Sequence, residues 1–455
     1  MRLCKPHWLF SLVLFGLLVN WTPSALSQLE SSIPAATNSL GFTLEDFFTS
    51  AINYSPALQI AREQLDIGSA RKRAATGRLL PQLNANASVS DNDRDDGVTR
   101  NEFDGERYNV QLNQILFDWQ EFANRRQASY IEDQREAEYY ARLGTLLTEV
   151  AAAYFDVLQA EDALTSIRSE LNAVTTQLTL VESYYERQLT QITDLYDAQA
   201  QLAAVQAEEL ALQTDLAIAR EILRSLAGVT PGALYRLDDE IDVPELEESI
   251  TYWVNQAQVN SPLIQAGQFA REAAREGVSS RRGAYMPRVN LVVQQQNTNL
   301  GFDNAPISET DNTYLALNVS IPLYAGGSNR AAEREAISLK SIADNELRQV
   351  QLDVSERTRA AYLLVKASET RTEAARRLVE STSLSAEARQ RGFELGTVNS
   401  VDVLNALRDQ FQAERDLQQT RYDHIKMLLE LKKEAGILTA EDLLEVGGWL
   451  IGPGA

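Results

Sequence analysis

The 455-residue chain is poor in the residues that build most metal centres and nucleophilic sites. It contains one cysteine, Cys4, and two histidines, His7 and His424. These counts argue against a Cys/His zinc site, a cysteine nucleophile and a disulfide framework. We therefore predict no metal site and no cofactor. No acid–base constellation appears either, so we expect a protein that is not an enzyme.

The chain also lacks positive charge and long apolar runs. Lys and Arg number 42 against 64 Asp and Glu, and the net charge of −22 argues against nucleic acid as a partner. Near the start, Arg2 and Lys5 precede a short apolar core over 8–19 and a small-residue site at 25–27. This pattern predicts a secretory signal peptide over 1–27. No later stretch offers about 20 consecutive apolar residues, so we expect no membrane-spanning helix.

Two halves of the chain repeat each other. Ser55-Pro56 recurs as Ser261-Pro262 with a shift of 206, and Thr193-Asp194-Leu195 corresponds to Val401-Asp402-Val403 with a shift of 208. The order of the matches is kept along the chain, which indicates a tandem duplication. We predict the following segments: a signal peptide over 1–27, a first repeat over 28–227, a linker over 228–249, a second repeat over 250–436 and a C-terminal tail over 437–455.

Each repeat contains two segments in which apolar and polar residues alternate. In the first, Leu83 and Val89 share one face with two alanines, while Asn84 and Ser88 lie on the other. Alternation with a period of two is typical of a strand with one apolar face. The predicted strands have about the nine or ten residues that a tilted strand needs to cross a bilayer. They lie at about 82–90, 108–117, 288–296 and 313–323, with a polar loop over 91–107.

The rest of the chain is rich in helix formers. From 119 to 227 there is no proline and one glycine, Gly144. Apolar residues recur there every three or four positions, which predicts long amphipathic helices packed as a coiled coil. We expect a first helix over 43–80, turns near 189–193 and 396–400, and a loosely ordered tail after Gly436.

Four membrane strands cannot form a closed barrel within one chain. Open strand edges are not tolerated in lipid, so the strands demand an oligomer: three chains would supply twelve strands and two chains eight. The charged helices must project into an aqueous compartment. The predicted fold is therefore mainly α-helical with membrane β-strands.

Together these features resemble the TolC-like outer-membrane efflux protein family, also called outer membrane factors. The most specific local matches are the segment 396–406, its first-repeat counterpart 188–194, and the strand-to-helix junction at 323–327. The resemblance implies a homotrimer with one twelve-stranded β-barrel in outer-membrane lipid. A long α-helical coiled-coil tunnel would continue the barrel through the periplasm. The partners it implies are a periplasmic adaptor protein and an inner-membrane pump, either proton-driven or ABC.

The resemblance also implies that the helical turns narrow the tunnel. Asp194 and Asp402 match the family's acidic constriction, which would give a ring of six carboxylates in a trimer. Such a ring attracts cations, so we hypothesise a cation-selective pore. The alternative is that both aspartates are ordinary N-terminal helix residues favoured by the helix dipole.

Other constriction positions depart from the family's pattern. Phe393 stands where some relatives have a gate-locking tyrosine, Val398 where they have an arginine, and Asn405 at a second acidic position. The interhelical lock of those relatives is therefore absent or different here. The family's first turn favours glycine where this chain has Gln188. The predicted adaptor contacts are Leu189, Thr190, Gly396 and Thr397.

We expect the protein to be a passive exit duct in the outer membrane, serving a tripartite export system. Two alternatives remain open. One is the outer-membrane component of type I protein secretion, which differs in its partners. The other is a soluble periplasmic coiled-coil scaffold, against which the four alternating strands argue.

Overall fold

A computed structural model describes residues 41–95, 97–238, 246–301 and 304–452. The predicted signal peptide lies outside these ranges. The helices formed by the described residues are α1 (Leu44–Tyr54), α2 (Pro56–Gly77), α3 (Trp119–Glu186), α4 (Ile192–Ala227), α5 (Ile250–Asn260), α6 (Pro262–Gly283), α7 (Ser328–Glu394), α8 (Ser400–Glu434) and α9 (Ala440–Gly448). The strands are β1 (Gln82–Asp95), β2 (Arg100–Phe117), β3 (Arg236–Leu237), β4 (Arg288–Leu300), β5 (Pro306–Ser320) and β6 (Leu450–Ile451).

The four long strands form one antiparallel sheet in the order β1-β2-β4-β5. The two repeats meet in its middle, where β2 pairs with β4 and Gln111 lies opposite Gln294. All four predicted strands overlap a strand of this sheet. Large apolar side chains remain exposed on it within one chain, such as Leu83 (69% exposed) and Leu315 (71% exposed). An exposed apolar face on such strands fits contact with lipid.

The first strand pair is longer than its apolar pattern indicates. Residues 91–95 pair in register with 100–104, so the predicted loop over 91–107 is wrong over most of its length. Main-chain hydrogen bonds do not require apolar side chains, and an ion pair between Asp93 and Arg100 joins the two strands across this polar end. The second pair is extended in the same way, because β4 continues to Leu300.

One strand ends earlier than predicted. The alternating pattern continues to residue 323, but β5 ends at Ser320. Pro322 lies just beyond, and a proline has no N–H with which to continue the ladder.

The predicted single helix over 43–80 is divided into α1 and α2. Ser55, between them, has an extended backbone (φ −60°, ψ 114°), and its hydroxyl accepts a hydrogen bond from Leu58 N at 3.4 Å. The residue before a proline disfavours the helical conformation, so Pro56 forces the break. Ser261-Pro262 divides α5 from α6 in the second repeat by the same means.

One very long helix dominates the helical part of each repeat. α3 has 68 residues and α7 has 67, and at 1.5 Å per residue each is about 100 Å long. α3 and α4 form what we call the first hairpin, and α7 and α8 the second hairpin. The turns that join them, 187–191 and 395–399, are the first and second tips. No helix among the described residues is long and apolar enough to cross a membrane.

The C-terminal tail is folded over its described residues 437–452, contrary to the expectation of loose order. α9 buries Leu443 and Val446 in the main core, and β6 pairs with β3 from the linker between the repeats. The Lys432 ammonium lies 2.6 Å from the Asp442 carboxylate and joins α9 to α8. α9 has nine residues, begins after a Thr cap and has the apolar spacing of a helix that packs on a core. The overall composition of the tail does not reveal this spacing.

Candidate functional site

The two tips share one backbone conformation. Gln188 in the first tip and Gly396 in the second both adopt positive φ, 58° and 74°. The next residues, Leu189 and Thr397, each donate their N–H to the carbonyl five residues back at 2.8 Å. This is the Schellman ending of a helix, in which one left-handed residue turns the chain and satisfies terminal carbonyls. The shift of 208 pairs Gln188 with Gly396, and the structure shows that the glutamine adopts the glycine's conformation.

Asp194 is held inside the N-terminus of its own helix. The Thr190 hydroxyl donates to its carboxylate, and the main-chain N–H of Gln191 points to the same oxygen at 3.4 Å. A carboxylate at the third helical position that reaches back to the residue before the helix is half of a capping box. Asp194 therefore stabilises the start of α4, as expected if it is an ordinary N-terminal helix residue.

Asp402 occupies the same position of α8 but is used differently. Its N–H donates to the Asn399 side chain at 2.8 Å, and its carbonyl accepts from Arg389 at 3.3 Å. Within the described part of the chain, its carboxylate has neither a hydrogen bond nor an ion pair. The Asp402 carboxylate is thus without an ion pair in the described part of its chain, although the Arg389 guanidinium lies against the main-chain carbonyl of the same residue.

Phe393 and Val398 lie in an apolar cluster between the two hairpins. Phe393 is 6% exposed, and its ring stacks on Tyr184 of α3 with centroids 5.5 Å apart. Val181 and Val403 complete the buried part of this cluster, and Val398 packs on its edge. Within one chain, these two of the five residues predicted at the constriction therefore pack the hairpins against each other.

The remaining predicted residues lie around the tips. Leu189 is 68% exposed, Gly396 and Thr397 are exposed, and Thr190 is half-buried by its bond to Asp194. Asn405 is half-buried on α8, one turn beyond Asp402. The structure thus brings all nine predicted site residues to the same end of the two hairpins.

Sequence reasoning missed the residues of α3 that hold the hairpins together. Gln177, Tyr184 and Glu170 recur every seven positions, a spacing that keeps them on one face of a packed helix. Glu170 is 2% exposed and lies 2.8 Å from Arg415 of α8. The seven-residue spacing was visible in the sequence, but two of the three residues are polar and a search for apolar positions passes over them.

Another interhairpin contact lies farther from the tips. The Tyr422 hydroxyl of α8 donates to the Asp162 carboxylate of α3 at 2.5 Å. Burial, together with the neighbouring Asp162 charge, raises the pKa of Tyr422 well above its usual range. The hydroxyl therefore stays protonated and remains a donor. Nowhere among the described residues do three His, Cys, Asp or Glu side chains group as metal ligands.

A family model described as "Outer membrane efflux protein" matches residues 48–229 and 253–436, most of both repeats. The chain belongs to the outer membrane efflux protein family. It is 29% identical over 438 residues to the outer membrane protein TolC of Vibrio cholerae, covering 95% of this chain and 98% of that protein. It is 25% identical to the alkaline protease secretion protein AprF of Pseudomonas aeruginosa, covering 88% and 85%. The solved Campylobacter jejuni CmeC outer membrane channel superimposes with a TM-score of 0.76 at 14% identity, covering 90% of this chain and 89% of that one.

This membership gives the assembly in which the tips act. The protein is an outer-membrane channel of the TolC-like type, with its helical part in the periplasm. Three chains form a homotrimer in which four strands from each make a twelve-stranded β-barrel, continued by an α-helical tunnel. Its partners are a periplasmic adaptor and an inner-membrane pump. The tips are the ends of the hairpins farthest along the chain from the strands.

Proposed function

We propose that this channel is a passive exit duct, not an enzyme, and that the tips form its narrowest part. The observation that carries the proposal is the difference between the two tip aspartates. Asp194 is occupied in its helix cap, whereas Asp402 has a carboxylate with no partner in the described part of its chain. Three Asp402 side chains, one from each protomer, then supply the charge of the constriction.

A ring of three like charges in a narrow aqueous pore concentrates cations and repels anions. Asp194 keeps its charge in the cap, but its carboxylate is directed to the start of its own helix. We therefore expect selectivity for cations to depend more on Asp402 than on Asp194. This refines the hypothesis of six equivalent carboxylates. Asp194 contributes through the shape of the first tip, which its cap stabilises.

The surface at the tips supports docking of the adaptor there. Leu189 and Leu395 (80% exposed) present apolar side chains to solvent beside the exposed backbone of Gly396 and Thr397. Exposed apolar groups at the end of a charged helical bundle are costly unless a partner covers them. We assign Leu189, Thr190, Gly396 and Thr397 to that contact.

Both classes of exported cargo are represented among the relatives. AprF is named as a protease secretion protein, whereas SrpC of Pseudomonas putida, 22% identical over 197 residues, is named as part of a solvent efflux pump. Between these two relatives, coverage favours AprF, which matches over 88% of the chain against 42% for SrpC. We propose small-molecule efflux as the function, because the family model that matches both repeats is described as an outer membrane efflux protein. Protein secretion is the second candidate because AprF matches over 88% of the chain.

The test is ion selectivity of the purified trimer in a planar lipid bilayer. Asp402→Ala should shift the reversal potential in a salt gradient towards zero, whereas Asp194→Ala should leave it close to wild type. Asp197→Ala is the matched control, because Asp197 is an exposed acid one turn farther along α4. Unchanged selectivity in the Asp194→Ala, Asp402→Ala double variant would refute the acidic constriction. Complete silence, even after both tips are shortened, would refute the channel itself.

A further inference from the structure

The four-stranded sheet separates its charged side chains by face. Along β1, the apolar face that contains Leu83 and Val89 continues into alternate aspartates towards the end of the strand. The strand register and the alternation of side chains place every carboxylate of the four described strands on this same face. These carboxylates are Asp91, Asp93, Asp95, Glu102, Asp104, Glu106, Glu309 and Asp311. Because the apolar part of this face meets lipid, the acids lie on the outer surface of the barrel.

The opposite face of the sheet lines the lumen of the barrel. Val292 and Thr298 on this face are buried, as expected on the concave side of a sheet that curves into a barrel. Most of its side chains are amides and hydroxyls, such as Asn86 and Gln111. Among the described strand residues, its charged side chains are three arginines, Arg94, Arg107 and Arg288. The lumen face of the strands is therefore positive in a chain whose net charge is −22.

Two of these arginines keep an unneutralised charge. Arg288 lies 3.7 Å from the Asp118 carboxylate, but Arg94 and Arg107 have neither an ion pair nor a hydrogen bond with a described residue. The Nε atom of Arg107 is buried without an acceptor, which is a costly state for a donor. On the outer face, by contrast, the Nε of Arg100 donates to Asp93 at 3.0 Å.

The neighbouring protomer does not supply the missing acid from its strands. The edges of the sheet are β1 and β5, so closing the barrel places β5 of one protomer beside β1 of the next. The described residues of β5 on the lumen face are neutral: Ser308, Thr310, Asn312, Tyr314, Ala316 and Asn318. The acids of β5 are on the outer face, away from both arginines.

The surroundings of Arg107 suit an oxyanion. A guanidinium presents a planar fork of N–H donors that matches two oxygens of a carboxylate or a phosphate. Ser88 lies directly opposite Arg107 on β1, and Asn109 follows two positions along on the same face. These neutral groups can hydrogen-bond an anion without competing for the arginine as an acid would.

We propose that Arg107 of each protomer forms an oxyanion-binding subsite on the inner wall of the barrel, and that Arg94 forms a second, weaker level. Arg94 lies six positions beyond Ser88 along β1, so the two levels are about 20 Å apart. Their ligands are solutes that carry a carboxylate or a phosphate as they leave. The subsites offset the repulsion that an acidic chain otherwise exerts on such anions. The proposal does not depend on where the duct is narrowest.

Block of the ionic current by inorganic triphosphate tests the subsite. Purified trimer added to one side of a planar bilayer keeps its charged helical part on that side, so triphosphate is added to the other side, where the barrel opens. Arg107→Gln should raise the concentration for half-maximal block at least about tenfold, because hydrogen bonds to a charged group are lost. Arg94→Gln should raise it less, since Arg94 is exposed to solvent. Arg100→Gln is the matched control on the outer face of β2 and should be blocked as the wild type is.

Calorimetric titration of the same trimer in detergent measures triphosphate binding without conduction. Arg107→Gln should lose the tightest binding. Arg107→Lys keeps the charge but loses the fork, so its affinity should lie between those of Arg107→Gln and the wild type. It is also the second variant if Arg107→Gln does not assemble.

The outcomes distinguish this subsite from the proposed function. If Arg107→Gln leaves both the block and the binding unchanged, the subsite is refuted although the channel stands. If Arg100→Gln weakens both as much as Arg107→Gln does, net charge explains the effect and the subsite is again refuted. Binding to Arg107→Lys as tight as to the wild type contradicts recognition by the guanidinium fork. If no variant conducts but binding still depends on Arg107, the subsite stands and the passive duct fails.

Discussion

The two tips of this chain have the same backbone conformation, but corresponding side chains form different hydrogen bonds. Gln188 and Gly396 adopt the same left-handed conformation, one as a glutamine and the other as a glycine. Asp194 and Asp402 occupy the same helical position, yet only Asp194 is bonded into a cap. The comparison teaches that the duplication preserves the path of the chain and the place of the acid, while the role of that acid differs between the repeats.

Other helices show that the Asp402 arrangement is the exception. Aspartate occupies the third position of α1, α4, α8 and α9. Asp46 accepts from Thr43 N at 3.0 Å, and Asp442 accepts from Thr439 N at 2.7 Å. Asn399 takes over the capping of α8, which leaves the Asp402 carboxylate unengaged. An acid released from its usual structural role is available for an electrostatic one.

The largest expected effect comes from exchanging the left-handed residues. Nothing lies within 4 Å of a Cβ placed on Gly396, so a substitution there meets only backbone strain. Gly396→Val should destabilise the second tip by about 2 kcal/mol, because a β-branched residue disfavours positive φ. Gln188→Gly should stabilise the first tip by about 1 kcal/mol. Hydrogen exchange of the tip amides measures both. The two changes in local stability should differ in size as well as in sign. A loss of amide protection in Gln188→Gly would show that the glutamine side chain itself supports the turn.

A smaller effect separates the two aspartates. Asp194→Ala removes the cap of α4 and should cost about 1 kcal/mol in the local stability of the first tip. Asp402→Ala should cost only about 0.3 kcal/mol, since it loses no more than a favourable interaction with the helix dipole. Amide exchange in the first turns of α4 and α8 reports each change. If the two costs were the same, the distinction between the tips would be lost and a ring of six equivalent carboxylates would again be the better interpretation.

The smallest expected effect is a dependence of stability on pH. It concerns Asp442, which is the one among these four helix-capping-position aspartates that forms an ion pair in the described part of the chain. Burial alone would raise the pKa of Asp442, but Lys432 and the Thr439 donors outweigh it and hold that pKa below its usual range. A lowered folded-state pKa contributes stability above the unfolded-state pKa, and that contribution is lost as the pH falls through the folded value. Acid should therefore weaken the docking of α9 and change the fluorescence of Trp449 at its end. Asp442→Asn should abolish that acid transition, and Trp449→Phe identifies the signal.

Much of the architecture could be predicted because its signals are local. Alternation identified the four strands, and the scarcity of proline and glycine from 119 to 227 identified the long helices of the first repeat. The break at Ser55-Pro56 was also local, and the rule for residues before proline predicts it once it is applied. The extra strand length over 91–95 could not be read from apolar alternation, since main-chain pairing and one ion pair sustain it.

The contacts at the site were harder to predict because they join distant residues. The ring partner of Phe393 is Tyr184, more than 200 positions away, and nothing near either residue in the sequence indicates the pairing. The left-handed Gln188 could have been found by transferring the glycine's conformation across the repeat. The different roles of Asp194 and Asp402 depend on single neighbours, Thr190 and Asn399, so position in the helix alone did not distinguish them.

The near-equal lengths of α3 and α7 have a further consequence. α3 begins two residues after the last residue of β2, so one uninterrupted helix joins the membrane sheet to the first tip. With 68 and 67 residues, the two helices are nearly equal in length, each about 100 Å long. They set the depth below the outer membrane at which any partner can be met. An insertion in only one of them would tilt the far end, whereas matched insertions of whole heptads would lower it evenly.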